Sequence, residues 1–581
     1  MTGSFRLLVA DPAARTLETD TGTWVVAGVD VSSIERVLRD AGSVAEVKRE
    51  LPSVTEDAIA VNVEDDSGRT VHAYRSVTGG HRLYWTETNG EFVLADHFRN
   101  ALAEVPVGER TVSDETVIDH LLFRAPVGAT GFVEEVDGVE QGEWRTWHLD
   151  SGETTSERVG TLSTRTETPP SRAPAAIEST YDDLMATDGF DGDAINLYSG
   201  GVDSTLTQTF FEGSTMLNAG VDSEEYAYEV EYAREGADHF DAPFEQEMIP
   251  EADVLEHLED SIDATGSPSC PLQVLMVNEA LRQYSGRRYV MAVGADSIFG
   301  NTPMRGPRYA DWASPLLNTP LSRGLARYGP GPVGGFVEWM DELDAQLDRP
   351  IDDADSFAHQ YATYSNPGYA KRLFDPSLVD DRVAAQTEYV TERVPLDDTH
   401  SRFARQAECR HMNLVFGHRV GARWRQLAMA HGNTLTNPFE TRSMIETSLS
   451  IPAERRFVSG PRHLYDVSTK HHLKQLLRDR LPEYPIGQPK GAGVLPFQRY
   501  LRSGPLSSAF ETYEPPAFVP DDERESVIEG SGRQSWNVLT YAIWRDRVLE
   551  NADLPRLSTT EERTWTVPER SASQSSGESV T

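Results

Sequence analysis

The sequence predicts an α/β protein: an antiparallel leading domain, then a doubly wound parallel sheet, then a largely helical C-terminal part. Three observations predict it. Short β-prone runs punctuated by turn residues fill the first 160 residues, a strand, Gly-Gly turn and helix open the next region, and a second such strand follows a helical run. At ~100–200 residues per domain, the 581 residues allow two to four domains with room for real cores.

In the leading domain (1–160), Ala58–Val63, Val71–Tyr74, Leu83–Trp85 and Phe92–Ala95 alternate with Asp-Asp-Ser-Gly, Gly-Gly and Asn-Gly turn signals, which predicts an antiparallel meander. Residues 161–175, TLSTRTETPPSRAPA, are rich in Thr, Ser and Pro and are expected to form a linker. The larger domain (176–556) begins with a helical segment Ala176–Thr187, a strand Ala194–Tyr198, and a helix starting near Ser204. The helical run Leu272–Tyr284 and the strand at Arg288–Gly294 continue the alternation of a parallel sheet. Beyond about Gly300 helices joined by Pro/Gly-rich loops are expected, and Leu557–Thr581, rich in Ser, Thr and Glu, is expected to be a disordered tail. No internal repeat is seen.

Composition limits the function classes. Fifty-three Lys+Arg oppose 93 Asp+Glu, a formal charge of −40 that argues against nucleic acid or an anionic membrane as a partner. Only Lys48, Lys371, Lys470, Lys474 and Lys490 are lysines, so 48 of the 53 cations are Arg. Acid excess with so little Lys points to a halophile's protein, whose self-repulsion is screened by concentrated salt. Cys270 and Cys409 are too few for a disulfide framework or a four-thiolate zinc site and read as buried apolar thiols. The start MTGSFRLLVADPAAR lacks the layout of a secretion signal, and no stretch approaches ~18 uninterrupted apolar residues, so a cytoplasmic protein is expected.

The strongest chemical signal is Ser199-Gly200-Gly201-Val202-Asp203-Ser204-Thr205, directly after the strand. Two glycines let the chain turn tightly and present N–H groups, and the following helix aims its positive end at the same place, as a phosphate chain requires. The Lys of the Gly-x-x-x-x-Gly-Lys-Ser/Thr loop is missing, and Asp203 is present instead. An acid beside a phosphate cradle is reasonable when a divalent cation, Mg²⁺, lies between them.

Ser-Gly-Gly-x-Asp-Ser resembles the PP-loop of the ATP pyrophosphatases, and the chain is similar to one branch of them, the asparagine synthetases. Arg287–Gly300, RRYVMAVGADSIFG, resembles that family's strand and Gly-Glu-Gly-x-Asp-Glu-x-Phe-Gly turn, which implies Asp296 as the second metal carboxylate and includes Gly294 in the ATP site. Met429-Ala430-His431, Asn437-Pro438-Phe439, Glu446 and Ile451-Pro452 keep its spacing, and Lys470–Pro496 is similar to its closing segment. The resemblance implies an enzyme in which a carboxylate attacks the α-phosphate of ATP, giving an acyl-adenylate and pyrophosphate. Loop 199–204 and Thr205 would hold the pyrophosphate, Asp203 and Asp296 the Mg²⁺, and Lys490 the developing negative charge. Met216–Gly220, ending in Gly220, would hold adenine, although a buried strand end explains that segment equally well. The implied partners are a small-molecule carboxylate and ammonia or another amine, in an assembly that allows a homodimer.

The departures are as informative. The resemblance makes the leading domain an Ntn-type glutaminase, but the chain starts Met1-Thr2-Gly3-Ser4-Phe5 and lacks the nucleophilic cysteine. Removal of Met1 would expose Thr2, and N-terminal threonine nucleophiles exist, but the glutamine-holding stretches are absent, so a degenerate scaffold kept for packing is expected. Gly80–Ala101 and Ser113–His148 still resemble the family's domain. In the synthetase domain Val293 stands at the family's base position, Ser297 replaces its next Glu, Thr434 and Thr436 follow Met-Ala-His, and Arg425-Gln426 replaces Asp-Arg. ATP chemistry is thus better supported than aspartate as acceptor. Amidation of another carboxylate such as a sugar acid, or a non-catalytic nucleotide-binding role, is the alternative, and a tRNA-modifying enzyme is opposed by the charge. His431 and Glu446 fall near the site by family register but read as structural residues.

Overall fold

The computed structural model describes residues 4–64, 69–163, 167–190, 193–211, 213–300, 305–349, 367–396, 400–417, 420–457, 469–486, 495–530 and 532–566. Ten strands belong to the leading region: β1 (Ser4–Val9), β2 (Arg15–Thr19), β3 (Gly22–Gly28), β4 (Ala58–Val63), β5 (Thr70–Arg75), β6 (Tyr84–Thr88), β7 (Glu91–Ala95), β8 (Asp137–Gly138), β9 (Glu143–His148) and β10 (Glu153–Arg158). The parallel region adds β11 (Ala194–Leu197), β12 (Met216–Asp222), β13 (Phe244–Pro250), β14 (Arg288–Met291) and β15 (Thr434–Thr436), and β16 (Glu561–Thr566) follows near the C-terminal end.

The four predicted leading strands exist, but they do not form one meander. β4 and β5 lie in the sheet β10-β9-β5-β4-β3-β2, whereas β6 and β7 lie in β16-β1-β7-β6-β8, with β1 and β7 parallel. Burial gives the reason: all six residues of β4 are buried, so that strand needs cover on both faces. Val25, Val61, Val71 and Trp147 of one sheet meet Phe5, Leu7 and Leu94 of the other between the layers. Helices Val31–Asp40 and Val44–Val54 cover the outer face of the six-stranded sheet through Ile34, Leu38, Val47 and Leu51. Helix Phe98–Glu104 covers the far face of the other sheet, giving α, β, β and α layers.

The tail expected to be disordered from Leu557 is partly a strand. β16 pairs antiparallel with β1, opposing Trp565 to Phe5, and the two rings stack with centroids 5.0 Å apart. Its sequence EERTWT hides the strand because an edge strand with one wet face carries few apolar residues. Residues 567–581 of that predicted tail lie outside the described ones. Trp565→Ala is expected to destabilise the chain by about 2–3 kcal/mol, read as a lowered urea midpoint at unchanged slope. The expected linker is likewise docked where it is described. Leu162 is buried, the Ser163 N–H donates to Glu446 at 2.9 Å, the Thr168 N–H donates to the Ser450 carbonyl at 2.7 Å, and the next helix already begins at Ala173.

The third sheet has the order β13-β12-β11-β14-β15 with every neighbouring pair parallel. Alternation along its strands feeds two cores. Ile195 and Tyr289 enter the core that helices Val254–Thr265, Val274–Arg282 and Val420–Ala430 complete, and Ala194 and Val290 enter the opposite one, under helices Ala173–Met185 and His471–Arg480. The first core is continuous with the leading region through Leu8, Val93 and Phe98. β11 is followed in sequence by β12 on one side and joined by β14 on the other, so the chain reverses direction of winding between β11 and β14. A crevice opens at the carboxyl ends of strands that flank such a point.

Candidate functional site

Both predicted loops leave the sheet at that crevice. After β11 the chain runs through Ser199, Gly200 and Gly201 into helix Val202–Gln208, and after β14 it runs through Val293 and Gly294 into the short helix Ala295–Phe299. Gly200 has φ +67°, and a β-carbon there would lie 2.7 Å from the Tyr232 carbonyl oxygen, so glycine alone fits. Gly294 has φ +92°, and with it the chain turns Asp296 toward Asp203. Ser199, Gly201, Asp203, Ser204 and Asp296 line one cleft of about 590 Å³.

Two predicted residues take other places. The Thr205 side chain is buried beneath the loop, shares a 3.1 Å hydrogen bond with the Tyr198 hydroxyl and donates to Tyr484 at 3.3 Å, so it supports the turn from below. Gly220 packs against Tyr226, where a β-carbon would lie 2.8 Å from the ring, while Leu217, Asn218 and Ala219 of the same strand line the cleft. Lys490 and Thr2 lie outside the described residues. His431 bonds Asn278 at 2.8 Å, and Glu446 accepts from Ser163 and from Arg442 at 3.0 Å, both structural contacts. Cys270 and Cys409 are buried, and burial pushes both thiols up to about 12.

The residue that sequence reasoning missed is Lys470. Its ammonium lies 2.8 Å from Asp203 Oδ2 and 2.6 Å from Asp296 Oδ1, so both carboxylates converge on one positive point. Burial alone favours the neutral amine, but Asp203 and Asp296 together outweigh it and hold the lysine pKa above its ordinary value. Lys470 has φ +53°, a left-handed conformation that a residue with a β-carbon adopts at a cost of about 1 kcal/mol or more, at the start of helix His471–Arg480. Lys474 lines the same cleft. The usable signal was the one applied to Lys490: with only five lysines in the chain, each is a departure from its preference for Arg.

The convergence also tests the site for a divalent cation. Two carboxylate oxygens within 2.8 Å of one atom offer the hard oxygen donors that Mg²⁺ takes, and Lys470 occupies the position of a positive charge between them. Among the described residues no cluster of three or more His, Cys, Asp or Glu side chains suits a metal, and the carboxylates whose convergence would offer donors here are Asp203 and Asp296. That suits Mg²⁺, which commonly binds through one or two carboxylates and completes its shell with substrate phosphates and water.

The departures at Arg425-Gln426 have a structural role. Arg425 donates to Asp57 at 2.8 Å, and Gln426 donates to the Tyr84 hydroxyl at 3.0 Å while its carbonyl accepts from His97 at 3.1 Å. All three partners belong to the leading region. Asp57 also takes a bond from His81 at 2.7 Å, and the other ring nitrogen of His81 lies 3.2 Å from Asp11. With both ring nitrogens facing carboxylates, Asp57 and Asp11 overcome burial and the nearby Arg425, and the histidine pKa is raised.

Residues 196–516 match the family model described as asparagine synthase. No curated protein matches the chain. The match begins within β11, contains both cleft loops and Lys470, and spans more than half of the sequence. Among the described residues no helix is long and apolar enough to cross a membrane. The chain therefore belongs to the asparagine synthase family of ATP-dependent amide-forming ligases.

Proposed function

We propose that the protein activates a carboxylic acid by adenylation and passes the acyl group to ammonia or another amine, releasing AMP and pyrophosphate. The observation that carries the reading is the convergence of Asp203 and Asp296 on one cation at the mouth of the Gly-Gly turn. In the first step a substrate carboxylate oxygen forms a bond to the α-phosphorus of ATP, and the bond from that phosphorus to the bridging oxygen of pyrophosphate breaks. Loop 199–204 binds the leaving pyrophosphate, and the Lys470 ammonium lies beside it to balance its charge. Asp203 and Asp296 would hold the Mg²⁺, which when bound neutralises phosphate charge. In the second step the amine attacks the acyl carbon and AMP leaves. Val293 lines the cleft with no proton acceptor, so the nucleophile enters as the neutral amine and gives up its proton to a group other than residue 293.

Ammonia as donor is favoured over glutamine. The nucleophilic cysteine of the family's glutaminase domain has no counterpart here, and the ion pairs of Arg425 with Asp57 and Asp11 bind the leading domain to the synthetase domain as a scaffold. The test is pyrophosphate release from ATP and Mg²⁺ in molar KCl, with aspartate and then a panel of other acids as acceptors, each with ammonium or glutamine. Release that needs both an acid and ammonium is the expected result. Glutamine-driven release would restore a glutaminase role for the first domain, and absence of release with every acid would leave only nucleotide binding.

A further inference from the structure

We propose that the tip of the helical unit 305–347 docks onto the surface of an anionic lipid bilayer. The inference concerns a surface remote in character from the cleft and does not rest on the chemistry proposed there. Among the described residues twelve large apolar side chains are exposed, and eight of them fall between Trp312 and Trp339. Trp312, Leu316, Leu321 and Tyr328 are 75, 72, 74 and 79% exposed, so they project outward and do not line a groove. Exposed apolar area concentrated in this way marks an interaction site.

These side chains are not spare parts of the unit's own packing. Helices Arg305–Ala313 and Gly331–Leu347 already close a small core through Ala310, Met340, Leu343 and Leu347. Arg402 anchors the unit to the body by ion pairs to Asp344 at 2.8 Å and Asp311 at 3.3 Å. In helix Pro320–Tyr328, Leu321, Leu325 and Tyr328 follow the i, i+4, i+7 spacing of one face, and that face is the exposed one.

Charge selects the occupant. Acidic residues make up 93 of 581, yet Trp312–Val337 contains none and does contain Arg323 and Arg327, both exposed. The stretch Trp312–Val337 thus carries a local charge of +2, bounded by Asp311 and Glu338 and with Asp341 bonded to Asn318, in a molecule of net charge −40. Apolar side chains that insert below the headgroups, Trp and Tyr at the boundary and Arg at the phosphates are what a bilayer surface takes. A second copy suits it less well: tip against tip opposes Arg323 and Arg327 to their equivalents, and tip against the acidic remainder makes an open, non-closing contact. The expectation of no membrane partner rested on net charge, which a Debye length of about 3 Å in molar salt confines to direct contact.

The experiment is sedimentation of the full chain with phosphatidylglycerol or phosphatidylcholine vesicles in about 1 M KCl, with tryptophan quenching by brominated acyl chains. Partition into phosphatidylglycerol at least tenfold above phosphatidylcholine, with quenched emission, is expected. The variant L321D/L325D/F336D should lose at least tenfold in partition while keeping its thermal melt, and R323Q/R327Q should lose the preference between lipids. If the triple variant does not fold, W312F in the otherwise unaltered chain decides, because the quenched component should shrink. Absent partition, equal partition of the folded triple variant, or vesicle-independent self-association that this variant abolishes would each overturn the proposal, the last in favour of a second copy.

Discussion

Asp203→Asn, Asp296→Asn and Lys470→Met are each expected to lower pyrophosphate release from ATP by about 10²–10³-fold, equivalent to about 2.7–4 kcal/mol of barrier. The three share one electrostatic unit but fail differently. Each Asn keeps shape and removes a negative charge, so it weakens the hold on a divalent cation and should raise the Mg²⁺ concentration needed for half-maximal rate. Lys470→Met removes the ammonium that lies between the same two carboxylates, 2.8 and 2.6 Å away. With that competitor gone the carboxylates repel each other more strongly, and the Mg²⁺ requirement should fall even as the rate drops. Opposite movements of the Mg²⁺ midpoint separate these roles, and an unchanged rate in Lys470→Met would remove the lysine from the chemistry.

The parts of this site legible in the sequence are those whose geometry is set locally. Ser199–Thr205 and Ala292–Gly300 each pass from strand through glycine to helix, and the backbone requirement at Gly200 and Gly294 is written in the residue type. Alternating strands and helices likewise disclosed the parallel sheet. What was not legible depends on distant partners. Lys470 meets Asp203 across 267 positions, and nothing in the neighbourhood STKHH announces an ammonium held between carboxylates. The leading strands were found, but their division into two sheets depends on which of them need cover on both faces. β16 was missed because Glu561, Arg563 and Trp565 alternate with wet residues, so its signal lies in pairing with β1 and not in hydrophobicity. Arg425 read as one of the departures that weaken the case for aspartate as acceptor, whereas its hydrogen-bonded partner lies 368 positions away at Asp57.

Arg425→Met is expected to destabilise the chain by about 3–5 kcal/mol near pH 8, because removing one partner of a buried ion pair leaves the other uncompensated. Beside their backbone N–H bonds, Asp11 and Asp57 would keep His81 as their one ion-pair partner among the described residues, with Asp96 and Glu440 close by. Burial pushes Glu440 up to about 7, with Asp57 adding to the effect, so its neighbourhood already resists further negative charge. The pH dependence distinguishes this account from loss of packing. In the parent, burial alone would raise the pKa of Asp57, but His81 and Arg425 lower it; its stabilisation is present above the ordinary carboxylate pKa and is lost as pH falls through the lowered one. The raised pKa of His81 acts in the other direction: its contribution is complete below about 6.5 and is lost as pH rises through the raised value. Glu440 stabilises most below its ordinary pKa and loses that contribution as pH climbs to about 7. Without Arg425 the carboxylates take up protons more readily, so the deficit of the variant should shrink from pH 8 to pH 5, whereas a packing defect would be the same at both. Urea midpoints of parent and Arg425→Met at constant molar KCl across that range measure the difference, and parallel curves would show that the guanidinium acts through its bulk and not its charge.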